Sequence, residues 1–336
     1  MRHTLLSLLF LLASCTLRAA ETLDVYFVDV EGGQATLLVS PSGESMLVDA
    51  GWPGFGGRDA DRIVATAKAA GVKRIDYLLV THYHTDHVGG VPPLAAQIPV
   101  MHFVDHGPNV ETTSAVNELV AAYHQVRDKS QHLVVKPGDK IPIKGLDVEV
   151  VAAAGQMLTA PLEGVGAANP LCAATPLRAA DPTENAQSVA TLIRFGKFRL
   201  ADLADVTWNK ELELVCPVNR IGTVDVYLTT HHGMNLSGSA AIVHALAPRV
   251  AIMNNGARKG GSPEAWQAIH SSPGLEDIWQ LHYTVKAGNE NNTAAQFIAN
   301  PEENCKGYGL KLSADADGSF TVTNTRTGYS KRYSPR

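Results

Sequence analysis

The sequence predicts an α/β protein in which two β-sheets pack together with helices on their outer sides. Three observations predict it. Short apolar strands come in groups with helices interspersed, in two halves of similar style but without a repeat strong enough to mark a duplication. In each half a buried strand runs straight into histidines: IDYLLV (75–80) leads to THYHTDH (81–87), and VDVYLTT (224–230) leads to His231 and His232. The composition, 45% hydrophobic and 18% charged over 336 residues, is that of a globular chain with ample apolar material for a core.

The first twenty residues, MRHTLLSLLFLLASCTLRAA, stand apart from that fold. Arg2 and His3 precede an apolar run of about a dozen residues, too short to span a bilayer and followed by small residues, which reads as a secretory signal. LASC (12–15) resembles a bacterial lipoprotein cleavage box, so Cys15 is a possible lipid-anchoring point beside a cut near Ala19 or Ala20. The expected organisation is a signal in 1–20 and one domain in 21–336 with a C-terminal β-hairpin extension. The expected location is exported, either periplasmic or extracellular. Three cysteines remain, Cys172, Cys216 and Cys305; in an oxidising compartment one pair can bridge, leaving one thiol over.

The elements follow in order. LDVYFVDV (23–30) and QATLLVS (34–40) read as strands, and PSGES turns the second into MLVDAG (46–51), with Asp49 at its end. DADRIVATAKAAG (59–71) has helical spacing, an acidic start and a closing glycine. After the 75–80 strand come a helix from Val88, a strand VMHFVDH (100–106), a helix from Thr113 to Arg127, and strands over 133–135 and 146–151. Residues 158–184, rich in Ala, Pro and Gly, read as a long loop. SVATLIRFG (188–196) and KFRLADL (197–203) form a hairpin turning at Gly196-Lys197, before a helix in VTWNKELELV (206–215). A helix (240–247), a strand (249–255), a helix (262–270) and a hairpin turning at Asp317-Gly318 complete the chain.

The chemistry concentrates after the 75–80 strand. His82 and His84 are two apart, so on extended backbone they project to one side and can grip one metal ion. Asp86 and His87, a turn further on, can aim at a second position, and Gly89-Gly90 let the chain pass close by. Imidazole with carboxylate suits Zn2+, one ion or two, with Mn2+ or Fe also compatible. Further ligands arrive where strands end: Asp205 after the 197–203 strand, and His231-His232. Asp202 competes with Asp205, which fits better because a helix begins just after it.

HYHTDH matches the HxHxDH signature, and the succession Asp49, HxHxDH, Asp205, His231 resembles that of the metallo-β-lactamase superfamily. The resemblance implies a four-layer αββα sandwich. More narrowly, DVEGGQA (29–35) and HHGM (231–234) are similar to segments of the hydrolase domain of ComEC-type competence proteins. By this resemblance His82 and His84 hold the first metal, Asp86 and His87 the second, and Asp205 bridges both. His231, the first off its strand, completes the second site; His232 orients substrate. Asp86 and Asp205 are the residues on which catalysis rests. Asp49 would position the loop or a ligand histidine; a plain turn-forming Asp before Gly is an equal reading. The superfamily commonly carries another histidine before the bridging Asp. Here that place reads TENAQS (183–188), with Asn185 and Ser188, as in competence-type domains. His102 and His106 are possible substitutes, and Gln34 replaces an acid at the site's rim.

The implied activity is hydrolysis by metal-activated water, most readily of phosphodiesters in nucleic acid or a phosphorylated small molecule. Lactone or β-lactam hydrolysis is the alternative, and a non-catalytic protein that kept the fold and a metal is a third reading. Without residues 1–20 the chain has 26 basic and 33 acidic residues, a net charge of about −7, which argues against tight binding of duplex nucleic acid. Lys210, Arg220, Arg258 and Lys259 are candidates for a small phosphate substrate. A membrane partner is expected only if Cys15 is lipidated. No P-loop, G-x-S-x-G elbow or dinucleotide fingerprint is present, so nucleotide cofactors and a serine nucleophile are not indicated.

Overall fold

The computed structural model describes residues 22–336; the expected signal, Cys15 included, lies outside the described residues. The first sheet takes β1 (Leu23–Phe27), β2 (Thr36–Val39), β3 (Ser45–Val48), β4 (Ile75–Leu79), β5 (Val100–Asp105) and β6 (Gln131–Val134). Its helices are α1 (Arg58–Ala69), the short α2 (Thr85–Val88) and α3 (Val91–Ala95), and α4 (Ser114–Arg127). The second sheet takes β7 (Lys140–Ile141), β8 (Asp147–Ala153), β9 (Gln156–Met157), β10 (Ala190–Phe195), β11 (Phe198–Asp202), β12 (Val226–Leu228), β13 (Val250–Met253), β14 (Asp277–His282) and β15 (Ile298–Asn300). Helices α5 (Trp208–Val215), α6 (Ala240–Leu246) and α7 (Pro263–His270) accompany it. The chain then returns to the first sheet as β16 (Leu310–Ala314), β17 (Phe320–Asn324) and β18 (Ser330–Tyr333).

Period-2 patterning sorts the side chains into layers. In β11, β12 and β13, Phe198, Leu200, Val226, Leu228, Val250 and Ile252 enter the core between the sheets. Their alternates Ala201, Tyr227, Ala251 and Met253 turn to the other face, among side chains of α5, α6 and α7. Strand β3 divides likewise, with Met46 and Val48 between the sheets and Leu47 with the residues of α1, α3 and α4. The result is helix, sheet, sheet, helix: the expected αββα sandwich.

Three expectations change. The C-terminal hairpin is no extension, because β16 pairs antiparallel with β1 and extends the first sheet inside the domain. The helix expected from Val88 begins at Thr85 and is split into α2 and α3 at Gly89-Gly90, where the Gly90 N–H donates to the carbonyl of Gly51 (2.9 Å). A Cβ on Gly90 would lie 1.9 Å from the Ala50 carbonyl, so the close approach requires glycine. The strand leading to His231 ends at Leu228, which decides the placement of the two histidines described below. The loop at 158–184 is fastened by a disulfide between Cys172 and Cys216, and among the described residues Cys305 is the free thiol.

Candidate metal centre

Parallel pairing brings the site together. Strands β3, β4 and β5 run parallel, as do β11 through β15. Asp49, the 81–87 loop, Asp205 and His231-His232 therefore all leave carboxyl ends of parallel strands, where open α/β sheets bind ligands. The backbone bends sharply there: Asp49, Ala204, His231 and His232 all have φ between 48° and 60°. Such left-handed residues cost about 1–3 kcal/mol each and gather at functional sites.

Four ring and carboxylate groups converge on one point. His87 Nε2 lies 3.2 Å from His232 Nε2, 3.4 Å from Asp86 Oδ2 and 3.3 Å from Asp205 Oδ2. His232 Nε2 lies 3.2 Å from Asp86 Oδ2 and 3.5 Å from Asp205 Oδ2. A regular tetrahedron with edges near 3.3 Å has its vertices about 2.0 Å from its centre, within the range for zinc bound by imidazole and carboxylate. All four residues are buried. The donor set fits a divalent cation.

The proton positions support this fit. Asp49 Oδ2 accepts from His87 Nδ1 (2.7 Å), so Nε2 is the ring nitrogen that faces the cluster. Asp49 also accepts from the Thr81 N–H (2.8 Å) and hydroxyl (2.7 Å), tying the end of β3 to the loop after β4. Its part is therefore more than turn formation. Because the Thr81 hydroxyl donates to Asp49, it accepts from His82 Nδ1 (3.1 Å), leaving His82 Nε2 as a lone pair. That atom faces His84 Nδ1 at 3.1 Å, and His84 Nε2 is held by the Glu111 carboxylate (2.9 Å). His82 and His84 thus point one nitrogen each at a common spot beside the quartet.

Charge is arranged accordingly. Burial opposes ionisation of Asp86 and Asp205, but His87, His232 and Lys259 around the first, and His231, His232 and His87 around the second, hold both carboxyls well below the usual range. Burial also opposes a proton on His87, yet Asp205, Asp86 and Asp49 lift its pKa well above the ordinary histidine value. His82 goes the other way: burial, then neighbouring His87, holds it well below that value. Asp205 Oδ1 and His232 Nδ1 are buried without a partner.

Two residues depart from expectation. His232, not His231, supplies the fourth atom of the quartet. Because β12 stops at Leu228, both histidines sit on a left-handed turn (φ 54° and 56°), and the second faces His87. His231 lies beside Asp205, Nε2 to Oδ2 3.4 Å, with Nδ1 near the Ser237 hydroxyl (3.3 Å). Asp202 lies outside the cluster, accepting from both Gln34 Nε2 (3.1 and 2.8 Å) and the Ala204 N–H, while Asp205 lies in it.

The segment lacking the extra histidine lies against the motif. The Val189 N–H donates to the Thr81 carbonyl, and Glu184 accepts from the Tyr83 N–H. Asn185 Oδ1 and Ser188 Oγ are buried there without partners. Neither alternative histidine replaces it: His106 pairs with Glu184 and His102 with the Asp76 carbonyl. Of the four candidate cations only Lys259 reaches the cluster, its ammonium paired with Asp86 and 5.0 Å from the centre of the Trp52 ring. Arg258 pairs with Glu303, Lys210 with Glu213, and Arg220 with backbone carbonyls.

Sequence reasoning missed Glu111, whose only signal was a carboxylate in the loop after β5, next to the motif strand. It also missed the group of buried Asp29 and His282 with half-buried Cys305. Arg62 already stands 3.2 Å from Asp29 Oδ2, so that group is built around a fixed guanidinium and anchors the 29–35 loop.

Residues 28–161 match the family model described as the Metallo-beta-lactamase superfamily. A ribonuclease Z from Methanopyrus kandleri is 30% identical over 117 residues, 34% of this chain and 37% of the relative. A hydroxyacylglutathione hydrolase from Stenotrophomonas maltophilia is 31% identical over 104 residues, 30% of this chain and 37% of that one. The chain thus spans little more than a third of either curated relative. Among solved structures, the metallo-β-lactamase fold protein YhfI from Bacillus subtilis aligns at 12% identity and a TM-score of 0.44, covering 76% of this chain and 95% of its own.

Proposed function

We propose that this chain, of the metallo-β-lactamase superfamily by its matched segment and ligand motif, is a metal-dependent hydrolase acting on phosphodiester bonds, with zinc as its metal. The observation that carries the reading is the buried, converging quartet of Asp86, His87, Asp205 and His232 beside the paired nitrogens of His82 and His84. A divalent cation held there would act as a Lewis acid and bring the pKa of a bound water towards neutrality. The chain's own residues prepare the centre. Asp49 keeps the His87 proton on Nδ1, and Glu111 keeps the His84 proton on Nε2. Asp205 Oδ1 is buried without a hydrogen-bond partner.

Lys259 favours phosphodiester over lactone or β-lactam. Its ammonium, 30% exposed on the side chain, stands at the open side of Asp86, where an anionic phosphoryl group can take it as counter-charge. The ribonuclease relative supports that choice; the hydroxyacylglutathione hydrolase relative keeps carbonyl substrates as the second reading. Hydrolysis of bis-p-nitrophenyl phosphate, a simple lactone and a chromogenic cephalosporin, each with added Zn2+ or Mn2+, separates the two. The phosphodiester is the expected substrate, and Lys259→Met is expected to raise its KM about tenfold with little change in kcat. Turnover of the lactone or cephalosporin alone would reject the phosphodiester reading.

We also propose that the protein is exported. The Cys172–Cys216 disulfide supports it, since such bonds persist in oxidising compartments. Fractionation of expressing cells followed by thiol alkylation tests it; a reduced protein in the cytosolic fraction would contradict it.

A further inference from the structure

A cavity of about 730 Å3 opens on the second-sheet side of the molecule and shares no lining residue with the histidine cluster. Its volume lies in the range of roughly 300–1,000 Å3 typical of small-molecule sites. Val165, Ala167, Leu171, Gly222, Ala245 and Pro273 contribute to a mainly apolar wall. That wall is firmly built. The Cys172–Cys216 disulfide and an antiparallel bridge between Ala168 and Val218 fasten the 158–184 loop. Asn169 donates its amide to the carbonyls of Val215 and Ala241, and Asn219 donates to that of Ala245, so both rim amides are already used by backbone.

Arg199 breaks the apolar lining. It stands at the start of β11, at the opposite end from the Asp205 turn, and lines both this cavity and a polar one of about 340 Å3 whose charged lining is Arg194, Lys197 and Arg336 with Asp225 and Asp317. Arg194 faces Arg199 across the antiparallel pair, a like-charge arrangement that is unfavourable unless compensated. Arg194 has its compensation in Asp147 and Glu149. Arg199 has no such close ion pair: Asp225, whose charge it feels through space, receives the Arg199 backbone N–H (2.9 Å) and stands 3.9 Å from Arg336. Among the described residues no carboxylate pairs with the Arg199 guanidinium.

We propose that the two adjoining cavities bind a single-chain amphiphile with an anionic head, its alkyl chain in the 730 Å3 apolar cavity and its head against Arg199. Apolar burial supplies the affinity for the chain, and a guanidinium forked towards an anion supplies the selectivity for the head.

Calorimetric titration of the whole protein with dodecyl phosphate, below its micelle concentration, tests this against dodecanol and inorganic phosphate. Dodecyl phosphate is expected to bind at least about tenfold more tightly than either. Arg199→Gln is expected to weaken it by about tenfold or more, and Arg199→Lys by less. Lys259→Met is expected to leave it unchanged. The proposal is overturned if dodecyl phosphate does not bind, or if dodecanol binds equally well. Binding that survives Arg199→Gln but is lost in Lys259→Met would place the probe at the histidine cluster, and also overturns it. The three-probe comparison on the unsubstituted protein stands even if Arg199→Gln does not fold.

Discussion

His82 Nε2 and His84 Nδ1 face each other at 3.1 Å, each the free nitrogen of a ring whose other nitrogen is committed, to Thr81 and Glu111 respectively. Two imidazole lone pairs at that separation repel unless a proton or a cation lies between them. The same holds a few ångströms away, where His87 Nε2 and His232 Nε2 stand 3.2 Å apart between two carboxylates. Both arrangements make sense as parts of a metal centre, and the groups behind them give the first predictions.

Glu111 is the group that aims His84. Its carboxylate accepts from His84 Nε2 and from the Glu184 N–H, linking a proposed ligand to the 183–188 turn. Glu111→Gln is expected to cost about 10- to 100-fold in affinity for one of two metal ions. Metal titration would then give two unequal sites in place of two tight ones, with circular dichroism unchanged. Unaltered affinity and stoichiometry would show that Glu111 has no part in aiming His84.

Asp49 does the same for His87. In Asp49→Asn the amide can donate to Nδ1 and drive the ring proton to Nε2, where it faces Asp86 and Asp205. Metal affinity is expected to fall about 10- to 100-fold, and nitrogen chemical shifts of His87 should report the changed tautomer. A retained Nδ1–H with full affinity would make Asp49 a purely structural tie to Thr81.

Much of this centre was legible in the sequence because ligand identity and spacing are local. HxHxDH after an apolar strand, and Asp205 and a histidine pair after two others, needed only the knowledge that parallel strands present their carboxyl ends together. What was illegible depended on backbone path. Nothing in TVDVYLTTHHG says that the strand stops at Leu228, so His231 looked like the residue nearest the site when the turn in fact delivers His232. Glu111 and Glu184 are 73 residues apart and meet only because β5 and the segment before β10 are brought together by the two sheets. The β16–β17 hairpin was readable as a hairpin, but its pairing with β1 across nearly the whole chain is a non-local contact that strand patterning does not encode.

Glu211 predicts a pH dependence of stability. Buried on α5, it accepts from the Gly238 and Ser239 N–H groups, yet burial outweighs these bonds and pushes its pKa up from 4.5 to about 7. The folded protein therefore retains a proton that the unfolded chain has lost. Its favourable contribution is complete below pH 4.5 and is lost progressively as pH rises through about 7. Denaturant unfolding between those limits should show Glu211→Gln losing less stability with rising pH than the unsubstituted protein, by an amount on the order of a few kcal/mol. Parallel curves would remove Glu211 from the account.

The central claim is that Asp86, His87, Asp205 and His232 hold a catalytic metal next to His82 and His84. Metal analysis of the purified protein, paired with turnover of bis-p-nitrophenyl phosphate, tests it most directly when done on the unsubstituted chain and on Asp205→Asn side by side. The account predicts close to two divalent ions per unsubstituted chain, and a loss of metal together with at least about a hundredfold loss of turnover in the variant. A chain that carries no metal and gains no activity with any added would contradict it, as would turnover that survives Asp205→Asn intact.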